Sequence, residues 1–175
     1  MIALIVAHTK NRTIGLQGRI PWDIDGEKQR FKELTTNNII IMGKNSYLEI
    51  GRPLPNRINI IVSSSLKQEA NDIVNQYDNI HIVSTLTEAL ELAKKQYPDK
   101  NVYLSGGQSI YEEGLELCEK LYVTEIDAYI AGDKFFPEFN KENYIREVEK
   151  EVEQTEDNPG YTYVTYTKKE QHNIH

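Results

Sequence analysis

Six short apolar runs, rich in Ile and Val, set the first constraint on this chain: residues 2–7, 39–42, 58–62, 80–83, 102–104 and 121–126. Runs of this length without polar alternation describe strands buried on both faces, the pattern of a largely parallel sheet. Parallel strands need crossover segments, and the intervals supply them. Residues 26–34 place Phe31 and Leu34 among charges at helical spacing. A helix capped by Thr87 would hold Leu90, Leu92 and Ala93 and stop before Pro98. A further helix is expected over residues 110–117, and another starts after Gly43. The expected fold is therefore α/β, a mostly parallel central sheet flanked by four helices.

The C-terminal part changes pattern. Residues 144–152 and 161–168 alternate apolar with polar side chains, and Asp157-Asn158-Pro159-Gly160 between them has turn chemistry. That predicts an antiparallel hairpin closing one edge of the sheet. No repeat, linker or low-complexity tract interrupts the 175 residues, so one domain over residues 1–170 is expected, with residues 171–175 a polar, frayed tail.

A net charge of −7 argues against broad binding to nucleic acid or an anionic membrane surface. If the ligands are anions, the groups that receive them must be local and few. No apolar run approaches the roughly 20 residues that span a bilayer. The opening residues also lack the basic flank and cleavage site of a signal peptide. With Cys118 as its one cysteine, the chain can form neither an internal disulfide nor a cysteine-built zinc cluster. A reducing cytoplasm is the simplest home, and nothing demands more than a monomer. The four His residues show no metal spacing, so no metal site is expected.

Residues 9–23 form a long stretch between a buried strand and a helix, and it carries Ile14-Gly15-Leu16 and Ile20-Pro21-Trp22. Apolar residues are wasted in a free loop, and long loops in compact domains are commonly functional. A mobile lid over a pocket is the expectation. Glu27 follows in the first turn of a helix, where complementing the helix dipole would explain it. It also shares a face with Phe31 and Leu34, and an acid on a buried face needs a partner. Thr124, in the strand of residues 121–126, is either that partner or an ordinary β-branched strand residue.

Two strand–glycine–helix junctions, Met42-Gly43-Lys44-Asn45-Ser46 and Ser105-Gly106-Gly107-Gln108-Ser109-Ile110, would present free N–H groups suited to phosphate. Neither is the GxGxxG fingerprint. Together they are more telling than either alone, because ligands of open α/β sheets bind outside the carboxyl ends of the strands. Gly51-Arg52-Pro53-Leu54-Pro55-Asn56-Arg57 is either a solvated loop or a stiffened guanidinium fork for a carboxylate. The acids Glu147, Glu149, Glu151 and Glu153 alternate and read as a solvated face.

Taken in order, these segments resemble dihydrofolate reductases along nearly the whole chain. The resemblance rests on residues 1–7, Ile14-Gly15, Ile20-Pro21-Trp22, Phe31-Lys32, Ile41-Met42-Gly43, residues 51–57, Ser105-Gly106-Gly107 with Tyr111, residues 122–127, Gly132-Asp133 and Phe136-Pro137. It implies NADPH as cofactor, dihydrofolate as substrate, and Glu27, Trp22, Thr124 and Tyr111 as the catalytic set. Ile5, Lys28, Phe31, Ile50, Leu54, Arg57 and Ser105 would contact substrate, with Arg57 on its glutamate carboxylate. Ala7, Ile14, Gly15, Gly43, Lys44, Asn45, Ser46, Ser63, Ser64, Gly106, Gly107, Gln108, Ser109 and Ile110 would hold the cofactor. Lys44 and Ser64 would meet its 2′-phosphate. A cis peptide is expected at Gly106-Gly107.

Departures from the family pattern are Lys28 at a usually apolar position, Arg30 where an aromatic or another helix-surface residue is common, Ser105 for an aliphatic one, and Lys44-Asn45 at the adenosine phosphate. Gly26-Glu27-Lys28 with Ser105-Gly106-Gly107 is similar to plasmid-borne dihydrofolate reductases that resist trimethoprim. Binding of antifolates is therefore expected, methotrexate normally and trimethoprim weakly. A pyrimidine reductase on the same fold and a non-catalytic nucleotide-binding module are the competing readings. Arg57 argues for folate over the former.

Overall fold

The computed structural model describes residues 1–15, 25–66 and 76–170. Its centre is β1 (Ile2–Thr9), whose first six residues after Met1 are apolar and whose interior is solvent-free. Around it lie β3 (Ile39–Gly43), β4 (Ile58–Val62), β5 (Ile80–Val83), β6 (Val102–Leu104), β7 (Lys120–Ile126), β9 (Tyr144–Val152) and β10 (Tyr161–Lys168). They form one eight-stranded sheet in the order β5-β4-β3-β6-β1-β7-β10-β9. The five pairings from β5 to β7 are parallel, and β10 runs antiparallel to both β7 and β9. All six apolar runs became parallel strands, and the alternating C-terminal segments became the hairpin at one edge.

Among the described residues, four α-helices cover the two faces: α1 (Asp25–Thr35), α2 (Lys44–Ile50), α3 (Leu86–Gln96) and α4 (Gln108–Gly114). Under α1 and α2, Phe31, Leu34 and Tyr47 pack with Ile5, Ile40, Met42 and Tyr103. Under α3 and α4, Leu86, Ala89, Ala93, Ile110 and Tyr111 pack with Leu4, Val6, Ile41 and Leu104. Alternate residues of one strand thus serve opposite cores, which is why these strands carry no polar face.

Three expectations need correction. The cap of α3 is Thr85, whose hydroxyl accepts from the Glu88 N–H at 3.1 Å while the Glu88 carboxylate takes the Ser84 N–H at 3.3 Å. Thr85-x-x-Glu88 has the capping-box spacing, with the Glu88 carboxylate on the N–H one residue before the cap, and Thr87 lies inside the first turn. The helix expected over residues 110–117 starts earlier, at Gln108 directly after Gly107, and tightens to 3-10 geometry at Leu115–Leu117. The stretch expected to be an unbroken loop contains β2 (Thr13–Gly15), paired antiparallel with β8 (Lys134–Phe135). The remainder of the expected lid, with Ile20-Pro21-Trp22, and the tail at residues 171–175 lie outside the described residues.

Candidate functional site

The carboxyl ends of the parallel strands meet the N-termini of α1, α2 and α4, and the candidate residues gather there. Ala7 of β1 and Thr124 of β7 are register partners. Thr124 is fully buried, and its hydroxyl donates to the Glu27 carboxylate from the first turn of α1. Glu27 itself is half-buried and shares its helix face with Phe31 and Leu34, which pack on the core below. Burial pushes the Glu27 carboxyl above the usual range, opposed by the Thr124 hydrogen bond and the Arg30 charge. A carboxylate in that setting is held and oriented, and its remaining lone pairs are available to a ligand.

Arg30 lies one turn along α1 and is only 8% exposed. Its Nη1 donates to Thr124 Oγ1 at 3.4 Å and its Nη2 to Glu149 Oε2 at 3.2 Å, while the guanidinium stands 4.4 Å from the Tyr163 ring centroid. Glu149 is exposed, as expected of a solvated face, yet it also pairs with Arg30 and accepts from the Thr165 hydroxyl. The alternation of acids along β9 gave the face but not the partner. Gly26, at the start of the same helix, is packed so that a Cβ there would stand 2.7 Å from the hydroxyls of Tyr161 and Tyr163.

Arg57 is the second buried cation, also 8% exposed. Its Nε donates to the Pro55 carbonyl at 3.0 Å and Nη1 to Thr35 Oγ1 at 3.2 Å, and the group stands 5.9 Å from the Phe31 ring centroid. Burial lowers its pKa, and among the described residues it has no carboxylate in ion-pair range. A desolvated cation without a counterion favours an incoming anion. Arg52 of the same loop is exposed.

Two asparagines hold this loop. Asn59, fully buried within β4, accepts from the Leu54 N–H at 2.9 Å and donates to the Leu54 and Arg57 carbonyls at 3.0 and 3.2 Å. Asn79 donates to the same two carbonyls, each at 3.1 Å. Phe31 and Leu54 face the core beside the loop, and Ile50 is exposed at the end of α2. Lys28 is exposed on α1.

The two glycine junctions lie side by side because β3 and β6 are neighbours. The Gly43 N–H donates to the Gly106 carbonyl at 2.9 Å, and the Gly106-Gly107 peptide is cis, as expected. Gly43 and Gly107 cap α2 and α4 without any side-chain hydrogen bond, so the first-turn N–H groups are left to other acceptors. Gly106 has φ +116°, and a Cβ there would meet Ser46 Oγ and the Tyr111 hydroxyl at 3.3 Å. A cavity of about 1130 Å³ opens above them, lined by Ala7, Ile14, Gly43, Lys44, Asn45, Ser46, Gly106, Gly107, Gln108, Ser109, Ile110 and Tyr111. Small-molecule pockets usually span roughly 300–1,000 Å³, so a ligand of dinucleotide size fits.

Several side chains in this groove are already engaged. Ser105, expected on the substrate side, lines the groove too, and its hydroxyl turns to the Ile41 carbonyl at 3.4 Å. Gln108 accepts from the Phe135 N–H of β8 at 2.9 Å. Tyr111 donates to the Ile5 carbonyl at 2.8 Å, and burial keeps its phenol protonated far above the usual range. Lys44 reaches Ser65 Oγ at 3.1 Å, and Ser65 contacts Ser63 Oγ at 3.1 Å, with Ser64 exposed between them. A second cavity of about 920 Å³, lined by His8, Glu125, Phe136 and Tyr166 among others, contains none of the candidate residues.

The residues that sequence reasoning missed are Arg30 as a buried group, Glu149, Asn59, Asn79 and Ser65. Asn59 alone had a usable signal, a polar residue inside an otherwise apolar strand. Among the described residues no cluster of His, Cys, Asp or Glu could hold a metal ion, and no helix is long and apolar enough to cross a membrane. Cys118 is buried, donates to the Gly114 carbonyl at 3.3 Å, and has its thiol pushed up to about 12 by burial.

Comparison with known proteins gives a consistent result. The family profile described as dihydrofolate reductase matches residues 1–168. The dihydrofolate reductase of Bacillus subtilis (strain 168) is 32% identical over 170 residues, covering 97% of this chain and 95% of that protein. That of Staphylococcus aureus is 30% identical over 145 residues, 82% of each. Among solved structures, dihydrofolate reductase from Enterococcus faecalis, complexed with NADP(H) and RAB-propyl, superposes with a TM-score of 0.81 at 28% identity over 97% of each chain.

Proposed function

The chain belongs to the dihydrofolate reductase family and is an NADPH-dependent oxidoreductase; we propose that Glu27 is the carboxylate through which it reduces 7,8-dihydrofolate to tetrahydrofolate. The observation that carries this assignment is the half-buried Glu27 fixed by the fully buried Thr124. Glu27 accepts from the pterin amino group and ring N–H and so favours the protonated ring. It stays on the far side from the reacting nitrogen, and the proton arrives through water. Trp22, outside the described residues, takes the role of holding that water. Ile5, Phe31, Ile50, Leu54, Lys28 and Ser105 border the substrate, and Arg57 receives its glutamate carboxylate, an anion matched to a buried cation that has no counterion among the described residues.

When bound, NADPH supplies the hydride. Gly43, Ser46, Gly106, Gly107, Gln108, Ser109 and Ile110 offer its pyrophosphate N–H groups and hydroxyls, and Lys44 with Ser63 and Ser64 receives the 2′-phosphate. Ala7, Ile14, Gly15 and Tyr111 border the nicotinamide. The fit rests on a cavity of sufficient size and on two helix ends without side-chain caps.

Loss of NADPH absorbance with dihydrofolate tests the reading. Turnover is expected, and Glu27→Ala is expected to cut the neutral-pH rate by about 10²–10⁴-fold with partial recovery in acid, where substrate is already protonated. Undiminished neutral-pH turnover in that variant would remove Glu27 from the mechanism. The same proposal places the reaction in one cytoplasmic domain of residues 1–170 that acts as a monomer. The charged edge strand β9 supports the last point, because Arg146, Glu147, Lys150 and Glu151 oppose edge-to-edge pairing; a single monomer peak on size exclusion is expected. Trimethoprim sensitivity is reduced in this reading, with methotrexate binding retained. Support comes from Lys28, a charge placed beside Glu27 where an apolar side chain would pack on the drug. Lys28→Leu should raise sensitivity, and an unchanged inhibition curve would refute it.

A further inference from the structure

A guanidinium can only donate hydrogen bonds, and this limits what its neighbours do. Thr124 has one hydroxyl proton. Arg30 Nη1 points at its oxygen from 3.4 Å, so that oxygen serves as an acceptor toward Arg30, and its own proton is directed away, onto Glu27. A hydroxyl that must donate to a carboxyl oxygen favours that oxygen as an acceptor, which is the ionised form.

We propose that Arg30 is a positioning residue for the reduction, acting through Thr124 to hold Glu27 as an oriented, acceptor-only carboxylate facing the substrate. The proposal rests on the assignment of Glu27 as the pocket carboxylate. Arg30 belongs to α1, Thr124 to β7, and the counterion Glu149 to β9, so the device spans three elements. Glu149 sits at a β-bulge: Tyr163 pairs with Lys150 and Val164 with Val148, leaving Glu149 as the extra residue between them. Bulges commonly re-aim a side chain next to a site. Here the bulged acid meets Arg30 at 3.2 Å and is held by the Thr165 hydroxyl.

Glu149 offsets the Arg30 charge without removing it from Glu27. It is 46% exposed at its side chain, whereas the arginine is buried, so water screens the acid more than the cation. Among the described residues, the phenols of Tyr111 from α4 and Tyr163 from β10 both interact with the Glu27 charge, and Tyr122 of β7 lies beside Arg30. The phenols of Tyr111, Tyr122 and Tyr163 are all shifted upward by burial and stay neutral across the working pH range. Among the described residues Arg30 is therefore the charge that acts on Glu27 from behind, and Glu149 acts on Arg30.

The experiment is the pH dependence of single-turnover hydride transfer by the full chain with saturating NADPH and dihydrofolate. Its midpoint reports the proton held jointly by Glu27 and bound substrate. Arg30→Met removes the cation and frees the Thr124 hydroxyl, so the midpoint should move to higher pH by roughly 0.5–1 unit. Arg30→Lys, which keeps charge and donors, should return most of it. Glu149→Gln leaves Arg30 in place but uncompensated, so the midpoint should move the opposite way, to lower pH. That variant also keeps the proposal testable if Arg30→Met does not fold. Rates that fall equally at every pH with fixed midpoints in both Arg30→Met and Glu149→Gln would reduce Arg30 to a structural role and overturn the proposal. Glu27→Gln separates the two levels. If it keeps the full neutral-pH rate, the Glu27 assignment fails first; if it loses that rate while the other midpoints stay fixed, only the role of Arg30 fails.

Discussion

The groove at Gly43 and Gly106 and the pocket at Glu27 occupy the same end of one sheet but are assembled from different materials. The groove is main chain: two strand ends, two uncapped helix starts and the Gly43–Gly106 hydrogen bond. Each half is encoded within a few consecutive residues, and adjacency of β3 and β6 brings the halves together. The pocket is side chain throughout. Glu27 depends on Thr124, 97 positions away, and Arg30 on Glu149, 119 positions away. Arg57 depends on Asn59 and Asn79 to hold the loop that presents it. A main-chain site tolerates many side chains but few backbone changes, whereas a side-chain site has the reverse sensitivity.

Asn59→Leu is the strongest way to test that contrast. It strands the Leu54 N–H and leaves the Leu54 and Arg57 carbonyls to Asn79 alone, and should cost about 2–4 kcal/mol of stability by denaturant titration. In the folded fraction the KM for dihydrofolate should rise by about tenfold while the KM for NADPH stays within about twofold. A parallel rise in both constants would mean that the two regions are not separately built.

Gly106→Ala addresses the other half. At φ +116° a side chain is strained, and the added Cβ meets Ser46 Oγ and the Tyr111 hydroxyl at 3.3 Å. The cost should be about 1–3 kcal/mol, with the KM for NADPH rising more than that for dihydrofolate. Equal stability and unchanged cofactor affinity would contradict a backbone-built groove.

The smallest effect concerns pH. The folded protein holds the Glu27 proton more tightly than the unfolded chain does, because burial raises its pKa. Its contribution to stability is therefore fully present below the ordinary glutamate value of about 4.3, and is lost as pH rises through the raised folded value. Glu27→Gln should accordingly melt about 2–4 °C above the parent at pH 8 and nearly level with it at pH 4. A stabilisation that grows toward acid would reverse the sign and disprove the burial argument. The carboxylate proposed to bind the substrate is thus expected to lower stability above the raised pKa of Glu27.

How far each region could be read in advance follows the same division. The strands of residues 58–62, 80–83 and 102–104 were legible to the residue, because an apolar run bounded by polar residues states its own limits. The two glycine junctions were legible as strand ends running into helix starts, since strand, glycine and helix are consecutive. Glu27 was legible only as an acid on an apolar face. Arg30 read only as a departure from the family pattern, and Glu149 as one solvated acid among four; neither reading reached the Arg30–Glu149 pair, because its members come from different elements. Thr85 was overlooked in favour of Thr87, although the Glu three residues on was the signal.

The sequence by itself determined the strands, their burial on both faces, the edge hairpin and the two glycine helix starts. These follow from periodicity and backbone chemistry, which are local. Only the tertiary structure decided that Arg30 is buried behind Thr124, that a bulge in β9 brings Glu149 to it, and that Arg57 is left without a counterion among the described residues. Such facts depend on desolvation and on pairings across the sheet, and neither exists until α1 and the hairpin have packed on the same face.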